Sequence, residues 1–331
     1  MHVDGDWMID RRGAIAGVLS VLGASGIAHA QSPRAGRKIG YLHPSTIAPN
    51  HDTLVLLRRA WQALGYIEDE TVLLRSAQGD LTRVPSLVAE LIGLEIGALI
   101  VVGAGAVRAA SRATTTIPIV AIDLETDPVR AGYAASVARP GGNVTGLFMD
   151  MASLAGKWVE MLREAVPTIE QIVLLWDPTT GQDQLDIASA AARARGMEVS
   201  VIARRAPEAY AEAFETLPRQ NRTGIVELTS PGANIGFARL AMVAQTYQLP
   251  IITFQNVNAI AGALLSYGPD RASYFPRAVV IADRILKGAR ASDFPIETPT
   301  RFELVINLKT AKALGIELPP SILLRADEMI E

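Results

Sequence analysis

The sequence predicts an α/β protein built as two doubly wound lobes. Three observations point there: near-continuous apolar runs of strand length, helix-period segments between them, and a second round of the same alternation after residue 146. The 331 residues are 49% hydrophobic, enough to bury a large core, and chains of this length usually divide it between two domains.

The first round starts with Lys38–Leu42 (KIGYL) and continues with Val72–Leu74, Ala98–Val102 (ALIVV) and Ile117–Ile122 (IPIVAI). Strands apolar on both faces belong to a parallel sheet covered by helices. The covering helices are expected over Thr53–Leu64, Leu81–Leu91 and Ala106–Ala113. The cycle restarts after Asn143-Val144-Thr145-Gly146. Strands are then expected at Gln171–Trp176, Glu198–Ile202, Gly224–Leu228 and Pro250–Phe254, with helices over Ser153–Ala165, Gln184–Arg195, Ala209–Leu217 and Asn234–Tyr247.

What remains is Ala263–Ser266, a helix over Tyr274–Leu286 and Phe302–Ile306, and these would overfill a single open sheet. They return to the lobes instead, so the chain crosses between lobes more than once. Pro- and Gly-containing spacers at Arg139–Gly142 and Ser292–Thr300 are the expected crossings. This assigns residues 37–146 plus 260–290 to lobe 1, and residues 147–259 plus 291–331 to lobe 2.

Residues 1–30 read as an export signal. Arg11 and Arg12 precede the uncharged stretch Gly13–Ile27, which ends in Ala28-His29-Ala30. That is a positive region, a short apolar region and a small-x-small cleavage site, and the stretch falls short of the roughly 20 residues of a membrane span. Its removal takes away Arg11, Arg12, Asp4, Asp6 and Asp10, changing the net charge from −3 to −2. Such a balance offers no electrostatic footprint for nucleic acid or for an anionic membrane. There is no cysteine, hence no disulfide, thiolate nucleophile or lipid-modified cysteine.

In open α/β sheets ligands sit beyond the carboxyl ends of the strands. The loops there bear His43, Ser45 and Thr46 after the first strand, Gly103-Ala104-Gly105 after the third, and Asp123 and Glu125 after the fourth. In the second lobe they bear Thr179, Ser230, Asn256 and Asn258. Gly103-Ala104-Gly105 either forms a tight turn or brings backbone amides to a carboxylate. It fails as a dinucleotide fingerprint, because Arg108 stands where the third glycine belongs. Asp123 and Glu125 can accept hydrogen bonds from a ligand amine or hydroxyl; capping or hinge packing is the alternative. His43 is a candidate donor, and Asn256 and Asn258, expected beside a crossing, offer paired donors and acceptors. No GxSxG, HExxH, Walker A or Cys–His pattern is present, so the chain reads as a binder rather than an enzyme, with no catalytic residues, metal or cofactor expected.

Several runs are more specific: Thr126-Asp127-Pro128-Val129, Ala138–Gly146 (ARPGGNVTG), Leu162–Pro167, Ser266-Tyr267-Gly268-Pro269, Ile285–Gly288, and above all Pro299–Glu331 with FELVINLKTAKALGIELPPSILLRADEMIE. They resemble the ABC-transporter substrate-binding family whose members include tryptophan- and tyrosine-binding proteins, from about Lys38 to Glu331. The resemblance implies a type I periplasmic binding fold: Rossmann-like lobes, three hinge crossings and a ligand clamped between the lobes. It also implies a monomer in the periplasm that delivers a small-molecule ligand to a permease and its ATPase, touching the membrane only through the permease. The chain departs from the family at Ser230-Pro231-Gly232-Ala233, at Asn256-Val257-Asn258 and in its acidic Asp123–Glu125 loop, so an aromatic ligand does not carry over. A sensory partner of a membrane receptor and an exported α/β enzyme are the other functions open to this sequence.

Overall fold

The computed structural model describes residues 38–46, 52–178, 180–203, 210–219, 222–230, 233 and 236–331. The expected export signal and Thr179 lie outside them. Lobe 1 is a five-stranded, fully parallel sheet in the order β2-β1-β3-β4-β5: β1 Ile39–His43, β2 Val72–Ser76, β3 Ala98–Val102, β4 Ile119–Asp123 and β5 Val144–Phe148. Helices α1 Asp52–Ala63, α2 Val84–Gly93 and α3 Ala104–Ala113 connect the strands. β3, β4 and β5 are buried at every position, as strands covered on both faces are, and β3 is apolar throughout.

β5 is a strand that the sequence pattern does not predict; only the restart of the cycle after Asn143–Gly146 is expected there. Gly146 lies inside the strand with φ +122°, where a Cβ would stand 2.2 Å from the Ala121 carbonyl oxygen of β4. Only glycine lets the two backbones come this close.

Lobe 2 opens with α4 Met151–Ala165, whose buried Met151, Ala155, Trp158, Val159 and Leu162 recur at helical spacing. Then come β6 Gln171–Trp176, α5 Asp183–Arg193, β7 Glu198–Ala203, α6 Tyr210–Glu215, β8 Thr223–Glu227, α7 Phe237–Thr246, β9 Ile251–Thr253, α8 Asn256–Ile260 and β10 Leu265–Pro269. α9 Arg271–Leu286 follows, then β11 Phe302–Asn307, α10 Leu308–Ala313, α11 Pro320–Leu323 and β12 Glu328–Ile330. The seven-stranded sheet runs β12-β11-β10-β9-β8-β6-β7, parallel except where β10 meets β11. The Trp158 indole N–H donates to the Tyr267 carbonyl at 2.7 Å, fixing α4 against β10.

The two sheets are linked by three crossings, at residues 149–150, at Asp270 and at 298–301. Two expected boundaries are corrected. β10 pairs in the second sheet, so residues 265–269 belong to lobe 2; α9 packs on α1 and β3–β5 and belongs to lobe 1. Residues 291–297 also stay with lobe 1, since Leu147 bridges to Glu297 and Ile296 is buried beside Phe148. Arg139–Gly142 is no crossing; it folds back within lobe 1, where the Ala135 amide donates to the Pro140 carbonyl.

The crossings run side by side. The Phe148 amide donates to Glu297 O and the Glu297 amide to Gly146 O, at 3.0 and 2.9 Å, while the Asp270 amide donates to Arg301 O at 3.2 Å. The Arg277 guanidinium grips both Glu297 carboxylate oxygens at 2.6 to 3.0 Å, pinning α9 to the third crossing.

Candidate functional site

Between the sheets lies a cleft of about 550 Å3, lined by the carboxyl-end loops of β1, β3 and β4, the start of α9, and the loops after β6, β8 and β9. His43, Ser45, Thr46, Gly103, Ala104, Gly105, Asp123, Glu125 and Ser230 all line it.

The loop after β1 is held by its own bonds. His43 Nδ1 lies 3.1 Å from the Ser45 amide nitrogen and 3.2 Å from the Ser45 carbonyl oxygen, which folds the ring back onto its own loop. The Ser76 hydroxyl donates to Ser45 O at 2.8 Å. After β3, Gly103 has φ +85° and ψ 149°, a region essentially restricted to glycine. That turn starts α3 with no side-chain cap, and the Ala104 and Gly105 amides are left without intrahelical acceptors. A Cβ on Gly105 would meet nothing within 4 Å, so the space beside the helix start is open cleft. The amides and the helix dipole favour an anionic group there.

The acidic loop after β4 is the most unusual part. Asp123 is fully buried, and its Oδ1 accepts from the Glu125 and Thr126 amides at 3.0 Å each. Its Oδ2 is buried with no hydrogen-bond partner among the described residues. Backbone bonds from the Met149 amide to Asp123 O and from the Met151 amide to Leu124 O, both 2.8 Å, tie this loop to the first crossing.

Glu125 reaches lobe 2. It accepts from the Thr229 hydroxyl at 3.1 Å and from the Gly181 amide. Thr229 is itself fixed by Gln184, which accepts from its amide at 2.9 Å and donates to its carbonyl at 3.1 Å. Burial above all pushes the Glu125 carboxyl up to about 7; Asp123 and Asp177 push the same way, while the bonds from Thr229 and Gly181 oppose them. At the mouth, Arg130 of lobe 1 pairs with Asp183 of lobe 2 at 2.6 Å, both well exposed. The lobes are thus in direct contact across the cleft.

Asn256 and Asn258 are not among the lining residues. Helix α8 turns them into lobe 2, where Asn256 donates to Glu303 at 2.7 Å and accepts from the Ser266 hydroxyl at 3.0 Å. Asn258 is buried and donates to Glu227 at 3.0 Å. Nor do they flank the second crossing, which comes after β10.

Sequence reasoning missed Gln184, Arg108, Arg130, Tyr274 and Phe275 as cleft residues. Gln184 was within reach of the strand-end rule, one helical step past the loop after β6. Tyr274 and Phe275 were not, because they face the cleft only once α9 is known to return to lobe 1. Their rings, 4.6 Å apart, form an apolar wall with Phe254. Among the described residues, no helix is long and apolar enough to cross a membrane, and no group of three or more His, Cys, Asp or Glu is placed to hold a metal ion.

Comparison with known proteins agrees with this architecture. A tyrosine-binding protein of Clostridioides difficile is 24% identical over 265 residues, 78% of this chain and 75% of that protein. An ABC domain from Streptococcus pneumonia, solved in complex with L-Trp, superposes with a TM-score of 0.76 at 23% identity, over 89% of this chain and all of that one. A conserved domain protein from Vibrio cholerae superposes with a TM-score of 0.78 at 22% identity and the same coverage. These structures establish the type I periplasmic binding fold. The model of the ABC transporter substrate binding protein family matches residues 51–330, most of the chain. The chain belongs to that family.

Proposed function

We propose that the protein is an exported solute-binding protein that captures a small polar ligand, an amino acid or related carboxylate, between its lobes and delivers it to an ABC importer. The observation that carries the reading is Asp123 Oδ2, a buried carboxylate oxygen with no partner among the described residues, in the wall of an inter-lobe cleft. A buried acceptor of this kind is costly unless a donor meets it, and a ligand amine or hydroxyl is that donor. Ser45 and the Ala104 and Gly105 amides hold the anionic or polar end, with His43 and Thr46 beside them, while the Gly103 and Ala106 amides are already bonded to the Ile122 and Gly103 carbonyls. Ser230 closes from lobe 2. The tyrosine-binding relative and the L-Trp complex support an amino-acid-like ligand.

The ligand is bound and released unchanged. Residues 1–30 direct export and are removed near Ala30, freeing a monomer into the periplasm, where a permease with its ATPase is the partner. A thermal-shift screen of amino acids, nucleobases and small carboxylates tests this, since a ligand at about 100 times its Kd adds about 2.7 kcal/mol. Calorimetry on Asp123→Asn should then show about tenfold weaker binding or worse. Steady turnover of any of these compounds would overturn the reading, as would a screen in which none of them raises Tm.

A further inference from the structure

Resting on that binding reading, we infer that the ligand is a small organic cation of net positive charge, a basic amino acid, diamine or guanidino compound, whose cationic group lies between Asp123 and Glu125.

Asp123 is fully buried, its Oδ1 is engaged by two loop amides and its Oδ2 has no partner among the described residues. Glu125 lines the same wall two residues on, and the donors it meets, the Thr229 hydroxyl and the Gly181 amide, are neutral. The charges that face Glu125 are Asp123 and Asp177, both negative. The cleft's own cations are placed elsewhere: Arg130 is paired with Asp183 at the mouth, and Arg108 is exposed on α3. A neutral hydroxyl would satisfy Asp123 Oδ2 yet leave its charge uncompensated and Glu125 dependent on its own proton. A cation satisfies the oxygen and compensates the charge together. The wall of Phe254, Tyr274 and Phe275 suits the methylenes of such a ligand.

Burial first, and its two acidic neighbours after it, raise the Glu125 carboxyl to about 7, so it holds a proton at a pH where an ordinary carboxylate does not. A ligand cation takes the place of that proton, so binding expels it: the Glu125 carboxyl loses H+ to the buffer and the carboxylate pairs with the ligand.

The test is calorimetry on the mature protein near pH 7, in two buffers of different protonation enthalpy. L-arginine, L-lysine, agmatine and putrescine are titrated against the neutral citrulline, norleucine, L-tyrosine and L-tryptophan. At least one cationic probe is expected to bind about tenfold or more tightly than every neutral one, with a buffer-dependent enthalpy that reports proton release. Glu125→Gln should abolish the release and weaken that probe about tenfold, while circular dichroism checks its fold. Neutral amino acids binding as tightly as the cations, without proton release, overturn this inference and leave the solute-binding reading standing. So does a folded Glu125→Gln protein that binds the cation unchanged. If none of the eight probes binds and the wider screen is also blank, both fall together.

Discussion

Acidification should close the ligand-free cleft through Glu125. In the closed form burial raises this carboxyl from 4.5 to about 7, and in an opened cleft it returns towards the ordinary value. A carboxyl whose pKa is higher in the closed form takes up a proton on closing. Closure is therefore most favoured below about 4.5 and is weakened progressively as pH rises through about 7. Between about pH 5.5 and about pH 8 the closed form loses about 2 kcal/mol relative to the open one, roughly thirtyfold in the equilibrium; this is an upper limit, because an opened cleft keeps part of the loop covered. The chain has no cysteine, so Arg112→Cys on lobe 1 and Gln245→Cys on lobe 2, both exposed, give unique sites for spin labels. Pulsed dipolar spectroscopy should show the short-distance population shrinking as pH rises, and Glu125→Gln should flatten the dependence. A closed population that grows with pH refutes the linkage, as does a pH dependence that survives in Glu125→Gln.

Other substitutions probe the frame around the cleft. Gly146→Ala places a methyl 2.2 Å from Ala121 O at φ +122°; denaturant unfolding should show a loss of more than about 3 kcal/mol, or no folded protein. Gly103→Ala puts a side chain at φ +85° and ψ 149°, and should cost about 1–3 kcal/mol in the same assay while weakening any ligand held at the α3 amides. Trp158→Phe removes the 2.7 Å indole bond to Tyr267 O, and about 1–2 kcal/mol by urea titration is expected. Arg130→Ala breaks an exposed pair, so Tm should hardly move and the spin-label distances should change only at low salt.

The parallel strands were legible because burial on both faces leaves no polar alternation: Ala98–Val102 and Gln171–Trp176 could be read directly from their apolar runs. β5 was hidden because Gly146 has the look of a turn residue; its need for glycine comes from the neighbouring strand, which local sequence does not reveal. β10 was assigned to the wrong lobe because its antiparallel partner, β11, lies more than thirty residues on. The cleft followed the same division. Ser45, Gly103, Asp123 and Glu125 sit at carboxyl ends of parallel strands, where topology alone predicts a pocket. Asn256 and Asn258 satisfy that rule too, but the short α8 turns them onto Glu303 and Glu227 instead.

The acidic loop does more than present two carboxylates. The Met149 and Met151 amides, on either side of the first crossing, bond to the carbonyls of Asp123 and Leu124. Between them stands Asp150 at φ 45° and ψ 46°, a left-handed conformation that a non-glycine residue adopts at some cost. In the proposed binding mode, the backbone that meets a ligand is therefore the backbone that carries the chain into lobe 2. A group seated on Asp123 would draw on this hinge directly, while Glu125 from the same loop fastens to Thr229 and Gly181 across the gap. On that proposal, ligand recognition and lobe closure share one loop, and the differential affinity needed to shift an open–closed equilibrium has a physical seat in the Asp123–Glu125 segment. Asp150→Gly separates the two roles: it relieves the left-handed cost without touching either carboxylate, so it should shift the closed fraction in one direction at every pH while leaving the free-energy change of closure between about pH 5.5 and about pH 8 the same as in the parent protein. A changed increment would mean that the hinge strain and the Glu125 proton are not independent.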